Sequence, residues 1–139
     1  MKTVNPLTHR EVQTVTRAVM RSLGYTLNRQ FHSPGNNHPD DQFIKNSSAV
    51  LAEYKSECIS HSDFLNGLGE CLAQRAAYNC NILLVIPEIF ADEIKQVITL
   101  TPWLWVLVYR SSFWNRELVP INWSEFEKYS TREVDNAIP

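Results

Sequence analysis

A continuous apolar run at residues 82–86, with the sequence Ile-Leu-Leu-Val-Ile, is bounded by Asn81 and Pro87. A short apolar run without alternation is typical of a β-strand that is covered on both faces. Such a strand lies inside a sheet that carries helices, which indicates a layered α/β architecture.

The segments on either side of this run predict alternating helices and strands. Thr8-x-x-Glu11 has the spacing of a capping box, and it begins a helix that Gly24 ends. A second helix is expected from Ser62, as its cap, to Tyr78. One face of this helix carries the apolar side chains of Leu65, Leu68, Leu72 and Ala76. Strands are predicted at residues 25–31, 42–44, 49–55 and 104–109, and further helices at residues 89–100 and 124–129.

The order of the predicted elements is α-β-β-β-α-β, followed by α-β and a tail. It predicts an α/β fold with a mixed sheet flanked by helices. Strands should pair antiparallel at the hairpins and parallel across the helical crossover. Because 139 residues are enough for a substantial core, we expect residues 1–139 to form a single domain.

The composition favours neither a membrane protein nor a disulfide framework. The apolar runs at residues 81–87 and 104–109 are too short to span a bilayer, and residues 1–6 contain no apolar stretch of signal-peptide length. The three cysteines are odd in number and include no close pair, which argues against a zinc site. A reducing, cytoplasmic setting is therefore expected.

The net charge of −2 does not favour binding to nucleic acid, but the charge is unevenly distributed. Residues 1–80 carry eight Lys or Arg and seven Asp or Glu, whereas residues 81–139 carry five and eight. If Glu11, Asp40 and Glu53 bind a metal ion, the first part of the chain becomes effectively cationic. The sequence is then compatible with phosphate binding.

A chemically distinctive group of residues lies in the predicted β-hairpin. Pro39-Asp40 is followed by Glu53-x-Lys55 at the end of an apolar run. Because side chains alternate along a strand, Glu53 and Lys55 share a face with Leu51. Charges on such a face are costly unless they are paired or bound to metal. Two carboxylates suit a hard divalent cation, and the amine suits a charged transition state. The alternative is that Glu53 and Lys55 end an exposed strand.

This motif resembles the signature of the PD-(D/E)xK nuclease superfamily, which has a restriction endonuclease-like fold. The order of the predicted elements also resembles the αβββαβ core of that superfamily. The resemblance implies a core at about residues 8–87 and a C-terminal αβ extension at about residues 88–139. It also implies a nuclease that uses Mg²⁺ or Mn²⁺ to hydrolyse phosphodiester bonds, most readily those of DNA.

The resemblance assigns roles to individual residues. Asp40 and Glu53 are the implied metal ligands, and Lys55 is the implied catalytic amine. Asp41 replaces Asp40 if the strand register differs by one residue. Glu11 is a further implied ligand, because many members carry an acidic residue on the first helix. The competing interpretation of Glu11 is that it only closes the capping box.

The helix after the Glu-x-Lys strand contains Gln74-x-x-x-Tyr78, which resembles a motif of the RecB-type branch. Gln74 and Tyr78 lie one turn apart, where they could contact the attacking water or a phosphate. Arg75 and His38 are further candidates for contact with nucleic acid. The alternatives are an ordinary polar helix face for the first three residues and a solvated loop histidine for the last.

Two other classes of protein compete with the nuclease. One is a catalytically inactive protein of the same fold that acts as an interaction module, which the negative charge and the aromatic C-terminal region favour. The other is an unrelated α/β protein that binds a small molecule, although no Gly-rich phosphate loop is present. For a nuclease that cuts duplex DNA, a homodimer is expected. DNA or RNA preference and endo- or exonuclease action stay open.

Overall fold

The computed structural model describes residues 7–29, 39–56, 59–111 and 116–122. Three α-helices and six strands follow one another in these ranges, with a short 3₁₀ turn at Glu88–Phe90. The helices are α1 (His9–Ser22), α2 (His61–Tyr78) and α3 (Ala91–Ile98). The strands are β1 (Thr26–Leu27), β2 (Asp41–Lys45), β3 (Ser48–Tyr54), β4 (Asn81–Pro87), β5 (Leu104–Ser111) and β6 (Arg116–Pro120).

The six strands form one mixed sheet in which the spatial order equals the chain order. The pairs β1–β2, β2–β3 and β5–β6 are antiparallel. The pairs β3–β4 and β4–β5 are parallel, and α2 and α3 connect them. The predicted fold class, an αβββαβ core in a mixed sheet with an αβ extension, is confirmed.

Both faces of the sheet are covered by helices, and each covered face has its own hydrophobic core. Val12 and Met20 of α1 pack on one face with Phe43 and Trp105 of the sheet. The other face is covered by α2 and α3, and its core includes Phe64 and Ile94 among other residues. Every residue of β4 is buried, as the unbroken apolar run predicts.

Helix α1 begins as its sequence predicts. The hydroxyl of Thr8 accepts a hydrogen bond from the backbone N–H of Glu11, and the Glu11 carboxylate accepts one from the backbone N–H of Thr8, each at 3.2 Å. Gly24 follows the helix with a φ of 92°, a value that glycine adopts without strain. The capping box and the glycine stop are both confirmed.

Helix α2 differs from its prediction at its start and in its buried face. Ser60, not Ser62, caps the helix. The leucine-rich face is only partly covered, because Leu65 is 47% and Leu72 is 55% exposed, whereas Leu68 packs against the core. The buried residues of α2 are Phe64, Gly67, Cys71 and Gln74. The apolar face named from the sequence is therefore not the most buried face of α2.

The C-terminal part of the described chain adds a strand that was not predicted. Strand β6 pairs with β5. Beyond the end of β6, the buried side chain of Asn122 forms hydrogen bonds with the backbone of β5. Asn122 accepts a hydrogen bond from Val106 N–H at 2.9 Å and donates one to the Leu104 carbonyl at 2.7 Å. The helix predicted at residues 124–129 lies outside the described residues, as do residues 30 and 31 of the first predicted strand.

No helix in the described ranges is both long enough and apolar enough to cross a membrane. The longest of them, α2, has 18 residues. Its sequence includes charged and polar side chains along its whole length.

Candidate active site

The β2–β3 hairpin brings Asp40 next to Glu53. Asp41 lies opposite Ala52 in the hairpin, so Asp40 continues the same register toward Glu53. The backbone N–H of Asp40 donates to the carbonyl of Ala52 at 2.9 Å. The Asp40 carboxylate accepts a hydrogen bond from the backbone N–H of Tyr54 at 2.8 Å. Asp40 is therefore held by the backbone of β3 at the end where that strand carries Glu53.

Glu53 is a buried carboxyl group, only 4% exposed. Burial, together with the negative charges of Asp40 and Glu70, raises its pKa to about 8. A hydrogen bond from Gln74 Nε2 to Glu53 Oε1, 2.6 Å long, and the charge of Lys55 act in the opposite direction. Because burial dominates, Glu53 holds its proton at neutral pH unless a cation takes the place of that proton.

Lys55 directly follows β3 and is held by both its backbone and its side chain. Its N–H donates to the carbonyl of Val85 at 2.9 Å, and its carbonyl accepts a hydrogen bond from the hydroxyl of Tyr109. Its ammonium group lies 3.3 Å from a carboxylate oxygen of Glu70 on α2. The aliphatic part of the side chain crosses α2 at Gly67, where an added Cβ would lie 2.7 Å from Lys55 Cε.

Asp41 points to the opposite side of the hairpin from Glu53. Its carboxylate accepts two hydrogen bonds from Arg17, of 2.9 and 2.8 Å, and one of 2.6 Å from the hydroxyl of Tyr54. The hydrogen bond from Tyr54 and the negative charge of Asp41 both add to the effect of burial, which raises the pKa of the Tyr54 hydroxyl above its usual range. Asp41 thus joins the hairpin to α1, whereas Asp40 is the acid that lies beside Glu53.

Helix α1 approaches Asp40 with a histidine. His9 Nε2 lies 3.2 Å from Asp40 Oδ2. Glu11, which was predicted as a metal ligand, is exposed and uses its carboxylate in the capping box. The contacts of His9 and Glu70 were not predicted, because no motif marks either residue. For Glu70, the only available signal was its position one turn after Gly67 on the helix that follows Lys55.

Gln74 and Tyr78 of the RecB-like motif, and the adjacent Arg75, do not all contact the same region. Gln74 reaches Glu53, but the guanidinium group of Arg75 lies 5.7 Å from the ring centre of Trp103. Trp103 precedes β5 at the end of the sheet where the parallel strands begin, and Tyr78 packs in the same core. Lys55 lies at the other end of these strands. His38 lies outside the described residues.

Asp40 and Glu53 are carboxylates, the ligand type that hard divalent cations prefer. The buried Oε1 of Gln74 has no hydrogen-bond partner, and the neighbouring Glu53 carries a raised pKa because its anion is poorly solvated. Both observations are those of a polar site that lacks positive charge. In the described ranges, no group of three or more His, Cys, Asp or Glu side chains is placed to hold a metal ion.

The chain thus has an α/β fold with a mixed sheet flanked by helices, and Asp40, Glu53 and Lys55 lie at one end of β3. No family profile and no curated protein matches the chain. Among solved structures, it is similar to an XisH family protein from Nostoc punctiforme, whose fold is restriction endonuclease-like. The TM-score is 0.51 and the sequence identity is 16%, over 70% of this chain and 89% of the other. At this identity, the similarity shows the fold.

Proposed function

We propose that this protein is a divalent-metal-dependent nuclease that hydrolyses phosphodiester bonds in DNA. The observation that carries the proposal is the buried Glu53, which lies against Asp40 and Gln74 and within the field of Lys55. Buried carboxyl groups with raised pKa values are rare outside functional sites, because each costs folding free energy. The restriction endonuclease-like fold adds support but does not identify a substrate.

Asp40 and Glu53 would hold Mg²⁺ or Mn²⁺, which prefer carboxylate oxygen ligands. Such an ion would polarise the scissile phosphate and favour ionisation of the attacking water. The site favours cation binding because Asp40 and Glu70 already place negative charge around Glu53. Loss of the Glu53 proton on binding would couple affinity to pH.

The other side chains of the site have distinct tasks. The ammonium group of Lys55 would stabilise negative charge that develops on the phosphate, or orient the attacking water. Gln74 fixes the carboxylate of Glu53 by the hydrogen bond from its amide. Glu70 orients Lys55 through their ion pair. Gln74 and Glu70 are therefore positioning residues, whereas Lys55 would contact the reacting phosphate.

Cleavage of DNA tests the proposal directly. Circular single-stranded, circular duplex and branched DNA are incubated with Mg²⁺ or Mn²⁺ and either the parent protein or Lys55→Ala. We expect metal-dependent cleavage by the parent and a loss of at least about a hundredfold in the variant, the effect of removing one electrostatic stabiliser. Cleavage that survives in Lys55→Ala would contradict the role of Lys55.

Metal titration separates the nuclease from an inactive relative of the same fold. Asp40→Ala and Glu53→Ala should each weaken Mn²⁺ binding, whereas Asp92→Ala, at an exposed position of α3, should not. The inactive interaction module is the second candidate, and the exposed Leu65 and Leu72 of α2 favour it. Folded protein that neither binds Mn²⁺ nor cuts DNA would support that candidate.

A further inference from the structure

One face of α1 carries arginines at helical spacing. Arg10, Thr14, Arg17 and Arg21 are separated by four, three and four residues, which places them along one side of the helix. Arg10 and Arg21 are exposed, and Arg17 is 39% exposed. The acidic residue of α1, Glu11, is engaged in the capping box. Positive charge is thus concentrated on this face although the whole chain has a net charge of −2.

Two adjoining cavities lie between this face and β1. The larger has a volume of about 480 Å³ and is lined by Arg17, Arg21 and Arg29 together with uncharged residues. The smaller, of about 230 Å³, is also lined by Arg17 and Arg29 and reaches Asp40 and Asp41. The cavities share Arg17 and Arg29, and their lining residues together extend from Asp40 to Arg21. We call the two cavities together the arginine groove.

The described residues that line the larger cavity include no Asp or Glu. Arg17 is already paired with Asp41, so its charge is partly balanced and its guanidinium group is fixed in place. Arg21 and Arg29 are exposed. The groove thus combines one oriented guanidinium group with two that are accessible to a ligand.

We propose that the arginine groove binds the phosphodiester backbone of a nucleic acid and guides it to Asp40, an inference that rests on the proposed function. Guanidinium groups bind phosphate oxygens through paired hydrogen bonds. Arg17 and Arg21 are one helical turn apart, about 6 Å along the axis, so they can contact a chain of phosphates in succession. The small side chains of Thr14 and Ala18 on the same face leave room for a backbone to approach.

Binding of a fluorescein-labelled oligonucleotide, as a duplex and as a single strand, tests the groove. Affinity is measured at several salt concentrations in EDTA, where metal-dependent cleavage does not occur. The variants are Arg21→Gln, Arg29→Gln and the double variant, with Lys95→Gln on α3 as a control that removes the same charge at an exposed position on the other side of the sheet. Each arginine variant should weaken binding and lower the salt slope by about 1, and the double variant by about 2.

The outcomes distinguish this inference from the proposed nuclease activity. Weakened binding of either oligonucleotide by the arginine variants, with Lys95→Gln unchanged, supports the groove even if the protein cuts nothing. Equal loss in Lys95→Gln would indicate an unspecific charge effect and overturn the inference. Parent protein that does not bind in EDTA, or arginine variants that bind as the parent does, would also overturn it, even if DNA is cleaved.

Discussion

Two neighbouring aspartates, Asp40 and Asp41, have different roles. Asp40 lies beside Glu53, and Asp41 joins the hairpin to Arg17. Asp40→Asn keeps an oxygen for the N–H of Tyr54, so its stability should stay close to that of the parent, while Mn²⁺ binding should be weakened. Asp41→Asn should lose about 2 kcal/mol of stability, since a charged hydrogen-bonded pair is broken, and should keep Mn²⁺ binding.

Urea unfolding and Mn²⁺ titration of these two asparagine variants check this prediction. The variants control for each other, because they make the same chemical change one residue apart. If Asp41→Asn abolished Mn²⁺ binding and Asp40→Asn did not, the ligand would be Asp41.

A second pair of variants concerns the two glycines of α2. At Gly67 a Cβ would lie 2.7 Å from Lys55 Cε, whereas at Gly69 no atom lies within 4 Å of an added Cβ. Gly69→Ala should stabilise the protein by up to about 1 kcal/mol, because alanine favours the helix. Gly67→Ala should displace the lysine side chain and reduce DNA cleavage, although the helix gains the same propensity.

Thermal unfolding and cleavage assays of both alanine variants measure these effects. Gly69→Ala should cut DNA at the rate of the parent. Full activity in Gly67→Ala would show that the Lys55 side chain can adopt another rotamer and still support cleavage. It would then contradict a functional requirement for glycine at position 67.

At the scale of elements, the last described strand depends on one asparagine side chain. Asn122 forms two buried hydrogen bonds to β5, with Val106 and Leu104. Asn122→Ala leaves a buried N–H and a buried carbonyl without partners, which should cost about 2–3 kcal/mol. Asn66→Ala, the same change at an exposed position of α2, should leave the unfolding free energy close to that of the parent. A small loss in Asn122→Ala would mean that water replaces the amide.

The elements also show where sequence reasoning succeeds and fails. Alternation along β3 correctly placed Glu53 on the face of Leu51, but it did not fix the hairpin register, which the sequence left open between Asp40 and Asp41. Hydrophobicity does not predict all of the buried face of α2, because Gly67 lies against the Lys55 side chain and Gln74 donates a hydrogen bond to Glu53. The contact between His9 and Asp40 spans 31 residues, and a single sequence carries no signal for it.

For the whole molecule, Glu53 makes stability depend on pH. The pKa of Glu53 is about 8 in the folded protein, whereas the ordinary value for glutamate is 4.5. Between these two pH values the folded state therefore binds a proton that the unfolded state has released. The unfolding free energy of the metal-free protein should therefore fall as pH rises through this window. Glu53→Gln should flatten that decline, whereas Asp92→Asn should not. Urea unfolding in EDTA across this pH range is the measurement, and a parent whose stability rises with pH would contradict it.

The agreement between spatial order and chain order has a consequence for how the protein is made. Each strand joins the sheet beside the strand that precedes it, so none must be inserted between two strands that are already paired. On the ribosome the sheet can therefore grow at a single edge. The candidate site, which spans residues 40–74, emerges early. The last anchor to form is the hydrogen bond from Tyr109, which reaches back across β4 to the carbonyl of Lys55.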